Sequence, residues 1–264
     1  MSDARAVQQP IELAHKPRAG FWRRSVAFII DGIIVSVPIQ ILVVVLFALT
    51  NGAVQTTSGI AFSNCLKTPQ LTELPQGLDP PPPAGANHAV ICSTSLFGLE
   101  TARRLTVSRV TKEGVVTKTF SRTYALDAQG KPRNAISFDV VVFLALFIYL
   151  ITMEYRLGAT WGKRLVGIRV ANIERPERVG IPLRKAVFRN LLIWAWAGPL
   201  LVVLLVYLIV SHGDVELLMD GNFFIWFAVA AVLALAWCLW VLIQIVRKLD
   251  PIYDKIAGTA ILRV

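Results

Sequence analysis

Charged residues are scarce in this sequence. They make up 17% of its 264 residues, whereas soluble globular domains contain roughly 25%. Hydrophobic residues, in contrast, make up 55% of the chain. This surplus of apolar side chains argues against an ordinary soluble domain, and it places the chain among membrane proteins.

Histidine and cysteine, which are typical zinc ligands, are also scarce. The chain has three of each, and the histidines (His15, His88 and His212) have no second ligand at helical spacing. The sequence lacks the G-x-S-x-G, H-E-x-x-H and G-x-G-x-x-G motifs of hydrolases, zinc proteases and dinucleotide-binding enzymes. We therefore expect no enzyme activity, no metal and no cofactor.

The segment GATWGKR, from Gly158 to Arg164, resembles the end of a phosphate-binding loop. It has one residue too few between its glycines, and Lys163 is not followed by the Ser or Thr that would hold Mg²⁺. These departures exclude a nucleotide site. The glycines instead predict a tight turn at the membrane surface, where Lys163 and Arg164 would contact lipid phosphates.

Four long apolar runs account for the hydrophobic content. They cover about residues 25–49, 136–155, 186–210 and 223–246. Each has about 20 or more mostly apolar residues, enough for a helix to cross a hydrocarbon core about 30 Å thick. The first run is too long for the apolar part of a signal peptide and contains Asp31, which indicates an uncleaved span. The predicted fold is an all-α membrane protein, a four-helix transmembrane bundle.

The distribution of Lys and Arg predicts the orientation. The N-terminal segment 1–24 and the tail 247–264 are basic, and so is the loop 155–189. The short loop 211–222 has no Lys or Arg and contains three acids. Short basic loops stay in the cytoplasm, so we expect cytoplasmic termini in a bacterial inner membrane and an extracytoplasmic loop at 51–135. Anionic lipid headgroups as partners then explain the net charge of +10 without nucleic acid.

The long loop 51–135 is predicted to be a small β-rich insertion with little core. Two β-branched runs flank the sequence KEG, Lys112 to Gly114, which is typical of a β-hairpin. The loop also contains Cys65 and Cys92. In an oxidising compartment these two would form a disulfide, and the alternative is a pair of free thiols.

Asp31 lies deepest of the polar residues in the predicted spans. A carboxylate near the bilayer centre costs roughly 2.5–3.5 kcal/mol on insertion scales, so such a residue usually faces other helices and has a function. Arg24 precedes it by two helical turns, or about 10 Å along the axis. The two side chains therefore share a helix face but are too far apart for contact, and we expect each to pair with another element.

Other polar residues lie near the predicted inner ends of the spans. They are Glu154, Arg189, Asn190 and Gln244. Because successive spans alternate in direction, these ends meet at one side of the membrane. The sequence therefore predicts a polar layer in the inner leaflet.

Several motifs together resemble the RDD family of small bacterial multi-pass membrane proteins, which is named for one arginine and two aspartates. They are FWRRSVAFIIDGIIV in the first span, GATWGKRLVGIRV after the second, LRKAVFRNLL before the third and DPIYDKIAGTAILRV at the end. By position, the named residues are Arg24, Asp31 and Asp254. Tyr253 departs from the family, which often has histidine there. The resemblance implies one RDD-like membrane domain over 1–264, into which the long loop is inserted.

The resemblance also implies transport of an unknown ligand, with cation/proton exchange as one suggestion. One hypothesis is thus an oligomeric secondary transporter, in which Asp31 is the proton or cation site and Arg24 and Asp254 form its inner gate. The alternative is a non-catalytic scaffold or accessory subunit. In that case the same residues form a structural clasp, and Arg189 is another candidate partner for Asp31. The expected partners are the lipid bilayer and either a second copy of the chain or another membrane protein.

Overall fold

Two compact units make up the chain in a computed structural model, which describes residues 17–67, 74–75, 77–114, 116–210 and 221–264. One unit consists of Met1–Asp31 and Phe147–Val264, and the other of Gly32–Leu146. The predicted acidic loop 211–222 lies largely outside the described residues.

Seven α-helices lie in the described part of the chain. In order they are α1 (Phe21–Leu49), α2 (Asp139–Leu157), α3 (Trp161–Leu165), α4 (Leu183–Ile193), α5 (Gly198–Val210), α6 (Gly221–Val246) and α7 (Ile252–Ala257). Three of them, α1, α2 and α6, are long and apolar enough to cross a membrane. Helices α4 and α5 form a bent pair that adds a fourth crossing if it is one span.

The third predicted span, 186–210, is not one straight helix. A 3₁₀ turn over Ala195–Ala197 separates α4 from α5, and the pair is bent by 46°. Pro199 explains the break. It has no N–H for the carbonyl of Ala195, and in a continuous helix its ring would clash with that carbonyl.

Eight β-strands complete the described secondary structure. They are β1 (Val54–Gln55), β2 (Phe62–Lys67), β3 (His88–Leu96), β4 (Leu99–Glu113), β5 (Val116–Ala125), β6 (Ile136–Ser137), β7 (Ile168–Asn172) and β8 (Thr259–Arg263). Six of them lie between α1 and α2, where a β-rich insertion was predicted. The pair β7–β8 was not predicted. Because β6 includes residues 136–137, α2 begins three residues after the predicted start of the second span.

An antiparallel sheet dominates the unit Gly32–Leu146. Its strand order is β2-β3-β4-β5. Strands β4 and β5 form the predicted hairpin, which turns at Gly114 with a φ of +63°, a conformation that favours glycine. Cys65 on β2 and Cys92 on β3 lie directly opposite each other and form a disulfide, so the first of the two predicted alternatives is confirmed.

The same sheet has a hydrophobic cluster of its own, contrary to the prediction of little core. Its buried members are Ala89, Leu105, Val107, Tyr124 and Leu126. Because burial of apolar surface stabilises a fold at about 25 cal/mol per Å², this cluster contributes stability alongside the disulfide.

Two polar side chains fix the segment that follows β1. Asp139, the first residue of α2, accepts a hydrogen bond from Thr56 Oγ1 at 2.7 Å. It also accepts from the backbone N–H groups of Thr57 and Ser58 at 2.8 and 2.9 Å. Gln40 of α1 donates to the carbonyl of Ser58 at 3.0 Å. With the parallel pairing of β1 and β6, these bonds hold the beginning and the end of the insertion side by side.

The antiparallel pair β7–β8 organises the other unit. The segment before α1 joins it, because the N–H of Ala19 donates to the carbonyl of Ile261 at 3.0 Å. Likewise, the N–H of Arg263 donates to the carbonyl of Pro17 at 3.1 Å. Gly258, with a φ of +63°, ends α7 and lets the chain turn into β8. The start of α1 and the C-terminal segment are thereby held together.

Candidate functional site

Five charged side chains form a continuous chain of ion pairs in the unit that contains both ends of the sequence. In order of contact they are Arg24, Asp254, Arg189, Glu154 and Lys163, so that cations and anions alternate. They come from α1, α7, α4, α2 and α3 respectively. Five separate helices therefore contribute to one network, which we call the ion-pair chain.

Arg189 is the central member of the ion-pair chain. Its Nε donates to Asp254 Oδ1 at 2.6 Å, and its Nη1 donates to Glu154 Oε1 at 2.5 Å. Only 2% of Arg189 is exposed, and both carboxylates are buried. A guanidinium carries several N–H donors in a fixed plane, so it can bind two carboxylates at once. These partners are required because an unpaired buried charge costs several kcal/mol.

Further donors complete the coordination of the two acids. Asp254 also accepts from Arg24 Nη1, through Oδ2 at 3.1 Å. Glu154 accepts from Asn190 Nδ2 at 3.1 Å and pairs with the ammonium group of Lys163. Every oxygen of the two carboxylates therefore has at least one donor, as buried polar groups require.

Asp31 is bound by neutral donors rather than by a cation. Its Oδ1 accepts from Tyr149 Oη at 3.0 Å and from the N–H of Gly162 at 2.8 Å. Its Oδ2 accepts from Thr160 Oγ1 at 2.5 Å. The whole side chain is buried. The hydroxyl of Thr160, just before α3, and the N–H of Gly162 in the first turn of α3, together with one phenol, thus satisfy the carboxylate.

The segment GATWGKR supplies two of the groups that bind Asp31. Thr160 is the N-cap of α3, and its hydroxyl also accepts from the N–H of Lys163 at 3.2 Å. Gly162 passes very close to α1. A Cβ on Gly162 would overlap the carbonyl oxygen of Ala27 and lie 2.9 Å from Asp31 Cγ. The second glycine of the segment is therefore required by a close approach to α1.

The set that the family resemblance grouped is only partly brought together. Arg24 pairs with Asp254, and Asp31 binds other elements, so Arg24 and Asp31 each have a partner elsewhere, as their spacing predicted. Arg189, the other candidate partner for Asp31, binds the two remaining acids. Among the described residues, no Lys or Arg forms an ion pair with Asp31. The physical reason is that the N-terminal turn of α3 supplies the donors that a cation would otherwise provide.

Lys163 does not fit its predicted contact with lipid phosphates. Its side chain is largely buried, and its ammonium group binds Glu154. Burial lowers the pKa of Lys163, and the nearby Glu154 carboxylate opposes that shift. Arg164 is exposed, with its guanidinium 5.5 Å from the centre of the Trp161 ring. A lipid contact through Arg164 stays a prediction.

The predicted polar layer is assembled in part. Glu154, Arg189 and Asn190 meet in or beside the ion-pair chain, whereas Gln244 has a different role. Its Oε1 accepts from the N–H of Ile252 at 2.8 Å, so it fixes the turn between α6 and α7.

Tyr253 lies beside the ion-pair chain. Its hydroxyl accepts from Arg24 Nη1 at 3.4 Å, and the Arg189 guanidinium is 5.8 Å from the centre of its ring. Burial, reinforced by the Asp254 charge, raises the pKa of Tyr253 to about 12. The phenol is therefore protonated at neutral pH.

A cavity of about 330 Å³ adjoins these groups. The charged residues on its wall are Arg24, Asp31, Glu154, Lys163 and Arg189, and most of the remaining lining is apolar. Its volume falls within the range of roughly 300–1,000 Å³ that is typical of small-molecule sites.

Sequence reasoning missed Tyr149, Thr160 and Gly162 as the partners of Asp31. The segment GATWGKR carried a signal for two of them, because a Thr before a short helix is a good N-cap and a Gly can mark close backbone approach. Tyr149 lies within an apolar run and carries no comparable local signal.

Comparison with known proteins bears on the region from α2 to α7. The model of the RDD family matches residues 134–257, a little under half of the chain. No curated protein matches the chain, and no solved structure does. The matched region contains four of the five members of the ion-pair chain, whereas Arg24 and Asp31 precede it. Over residues 134–257 the chain is therefore similar to the RDD family of membrane proteins, in agreement with the resemblance of its motifs.

Proposed function

We propose that this protein is a non-catalytic membrane scaffold or accessory subunit, in which the ion-pair chain is a structural clasp. The observation that carries the proposal is the position of Arg189, which binds Glu154 and Asp254 at once. Because Asp254 belongs to α7, this contact fixes the C-terminal segment to α2 and α4. The partner of such a subunit would be a second copy of the chain or another membrane protein.

The state of the acids favours a clasp over a transport site. A carboxylate that exchanges a proton for a cation must be able to release its other partners. Asp31 has three donors, and both oxygens of Glu154 and of Asp254 are occupied. Tyr253, where the family often has histidine, holds its proton at neutral pH because its pKa is about 12. A proton relay at that position is therefore disfavoured.

The proposed topology is that of the sequence prediction. We place both termini on the cytoplasmic side of a bacterial inner membrane, because the short flanking segments are basic. We place the insertion at 51–135 outside. The disulfide between Cys65 and Cys92 supports this placement, since disulfides persist in oxidising compartments. The four-helix bundle remains part of this proposal.

Secondary transport is the second candidate function, and the cavity is the observation in its favour. Asp31 and Glu154 both lie on its wall, so a cation inside it would meet two carboxylates. A transporter of this size would function as a homo-oligomer, with Asp31 as the proton or cation site.

A flux measurement separates the two candidates. The full chain is reconstituted in liposomes that enclose a pH-sensitive dye, and Na⁺, K⁺ and pH gradients are imposed in turn. The clasp predicts flux no greater than in protein-free liposomes. Addition of an ionophore at the end of each run serves as the control that the gradient was intact. Flux that disappears in a folded Asp31→Asn protein would instead establish transport and overturn the scaffold proposal.

A further inference from the structure

The Arg24 side chain has one donor group left over. Its Nε donates to the carbonyl of Ala19 at 3.1 Å, and its Nη1 donates to Asp254 and Tyr253. Its Nη2 is buried and has no hydrogen-bond partner in the described residues. The side chain is only 8% exposed, so this nitrogen is poorly hydrated. A buried donor without an acceptor costs free energy, and such a group calls for an explanation.

The cavity next to Arg24 offers a place for the missing acceptor. Arg24 is on its wall, together with apolar side chains of α1 and α6 such as Phe21 and Ile245. We propose that this cavity binds the phosphate group of one membrane lipid, with Arg24 Nη2 as its donor. The inference goes beyond the clasp, because it assigns a ligand to a buried donor that the clasp leaves unused.

The rim of the cavity points to a lipid. Phe28 and Ile29 line it, and they are 47% and 59% exposed. Both belong to α1, a helix apolar enough to cross a membrane. Exposed apolar side chains on such a helix contact hydrocarbon, so the cavity opens beside acyl chains. A ligand that enters here is apolar over most of its length and brings a polar head to Arg24.

The unused guanidinium donor of Arg24 favours phosphate oxygens as the acceptor. The ion-pair chain contains three cations and two anions, and Arg24 is one of its two ends. Asp31 lies near the other end, because it accepts hydrogen bonds from Thr160 and Gly162 at the N-terminal turn of α3, the helix that carries Lys163. The nearby Asp250 is paired with Arg18 at 3.0 Å through Oδ2, whereas its Oδ1 has no hydrogen-bond partner in the described residues. With Asp31 included, cations and anions are equal in number, so the argument for an acceptor rests on the unpartnered Nη2 of Arg24. A guanidinium donor of this kind binds phosphate oxygens strongly.

This site differs from the predicted one. The sequence placed lipid phosphates at Lys163 and Arg164, but Glu154 occupies the ammonium group of Lys163. The cavity volume of about 330 Å³ suits a headgroup and the first part of its glycerol ester rather than a whole lipid. The acyl chains would then lie along the exposed face of α1.

The test is lipid retention by the full chain after purification in detergent and delipidation. Phosphatidylglycerol is added, and the bound fraction is read by native mass spectrometry. Diacylglycerol with the same acyl chains, which lacks the phosphate, and inorganic phosphate, which lacks the chains, are the two comparison ligands. We expect one phosphatidylglycerol per chain, with weak or no binding of either comparison ligand.

Two variants address the site by different routes. Arg24→Lys keeps a cation for Asp254 but removes Nη2. Ser25→Leu fills part of the cavity without removing any bond of Arg24. Each should weaken phosphatidylglycerol binding by about tenfold or more. The first removes a charge-assisted hydrogen bond to the phosphate, and the second removes space for the headgroup. Arg23→Lys, which changes an exposed neighbour on the same helix, is the matched control and should stay within about twofold.

Three outcomes would overturn the inference. Equal binding of diacylglycerol would show an apolar groove without phosphate recognition. Equal binding of inorganic phosphate would show an anion site that needs no lipid. Unchanged phosphatidylglycerol binding in Ser25→Leu would show that the lipid binds elsewhere, even if Arg24→Lys fails to fold.

Discussion

Arg189 and Asp254 lie 65 positions apart in the chain, yet the Nε of the one donates to the Oδ1 of the other at 2.6 Å. The guanidinium reaches Glu154 as well. This relationship joins the short C-terminal helix α7 to α4 and, through Glu154, to α2. The stability of the C-terminal segment should therefore depend on these three side chains.

Removal of one member of this pair should destabilise the protein strongly. Arg189→Gln removes the central cation from two buried carboxylates, and Asp254→Asn removes an anion shared by Arg189 and Arg24. Loss of one partner of a buried ion pair costs roughly 3–5 kcal/mol. Equilibrium unfolding in mixed detergent and SDS micelles would measure the change. Glu174→Gln is the matched control: it breaks the ion pair with Lys185, but Glu174 is 73% exposed, so we expect less than about 1 kcal/mol. Equal effects of the buried and the exposed changes would contradict the clasp.

The closeness of α3 to α1 should make Gly162 intolerant of a side chain. Gly162→Ala would push a methyl group against the Ala27 carbonyl and Asp31, which should cost about 1–3 kcal/mol as other overpacked sites do. Gly32→Ala is the control, because nothing lies within 4 Å of its added Cβ. A helix interior favours Ala over Gly, so the control should be neutral or more stable. Comparable melting temperatures for the two variants would show that α3 does not approach α1 in this way.

The neutral donors around Asp31 predict different results for two substitutions. Asp31→Asn keeps an acceptor for the N–H of Gly162, and the Thr160 hydroxyl can rotate to accept from the new amide. We expect a loss of about 1 kcal/mol in unfolding free energy. Asp31→Ala leaves three donors without their acceptor, two of them in fully buried hydrogen bonds, and should cost about 3 kcal/mol or more. If Asn is as damaging as Ala, the negative charge itself is required, and a cation must approach Asp31.

The disulfide should stabilise the insertion measurably. Cys65 and Cys92 are separated by 27 positions. Loop-closure entropy for such a loop corresponds to roughly 3–4 kcal/mol, so the double change to Ser should lower the unfolding free energy by about that amount. Cys238→Ser, which changes the free cysteine on α6, should have little effect. Mass mapping without reductant should detect the linked peptides, and two freely alkylated thiols in protein from an oxidising compartment would refute the pairing.

Parts of this fold could be predicted because their signals are local. An apolar run of sufficient length predicts a membrane-crossing helix whatever surrounds it, so α1, α2 and α6 were found. The hairpin β4–β5 was found because its turn and its alternating runs are adjacent in sequence. The break between α4 and α5 had a local signal at Pro199, which average hydropathy conceals. The pair β7–β8 joins strands from distant parts of the chain, so no local sequence pattern indicates it.

The charged residues also combine features that local sequence predicts with features that depend on the tertiary structure. The sequence alone determined that Arg24, Asp31, Glu154 and Arg189 need partners, because a charge in or beside an apolar helix is costly when unpaired. Only the tertiary structure decided which partners they have. The pairing of the segment before α1 with β8 brings Arg24 to Asp254, 230 positions away. The N-terminal turn of α3 gives Asp31 its neutral donors, because hydrogen bonds depend on proximity in space, which residue spacing does not encode.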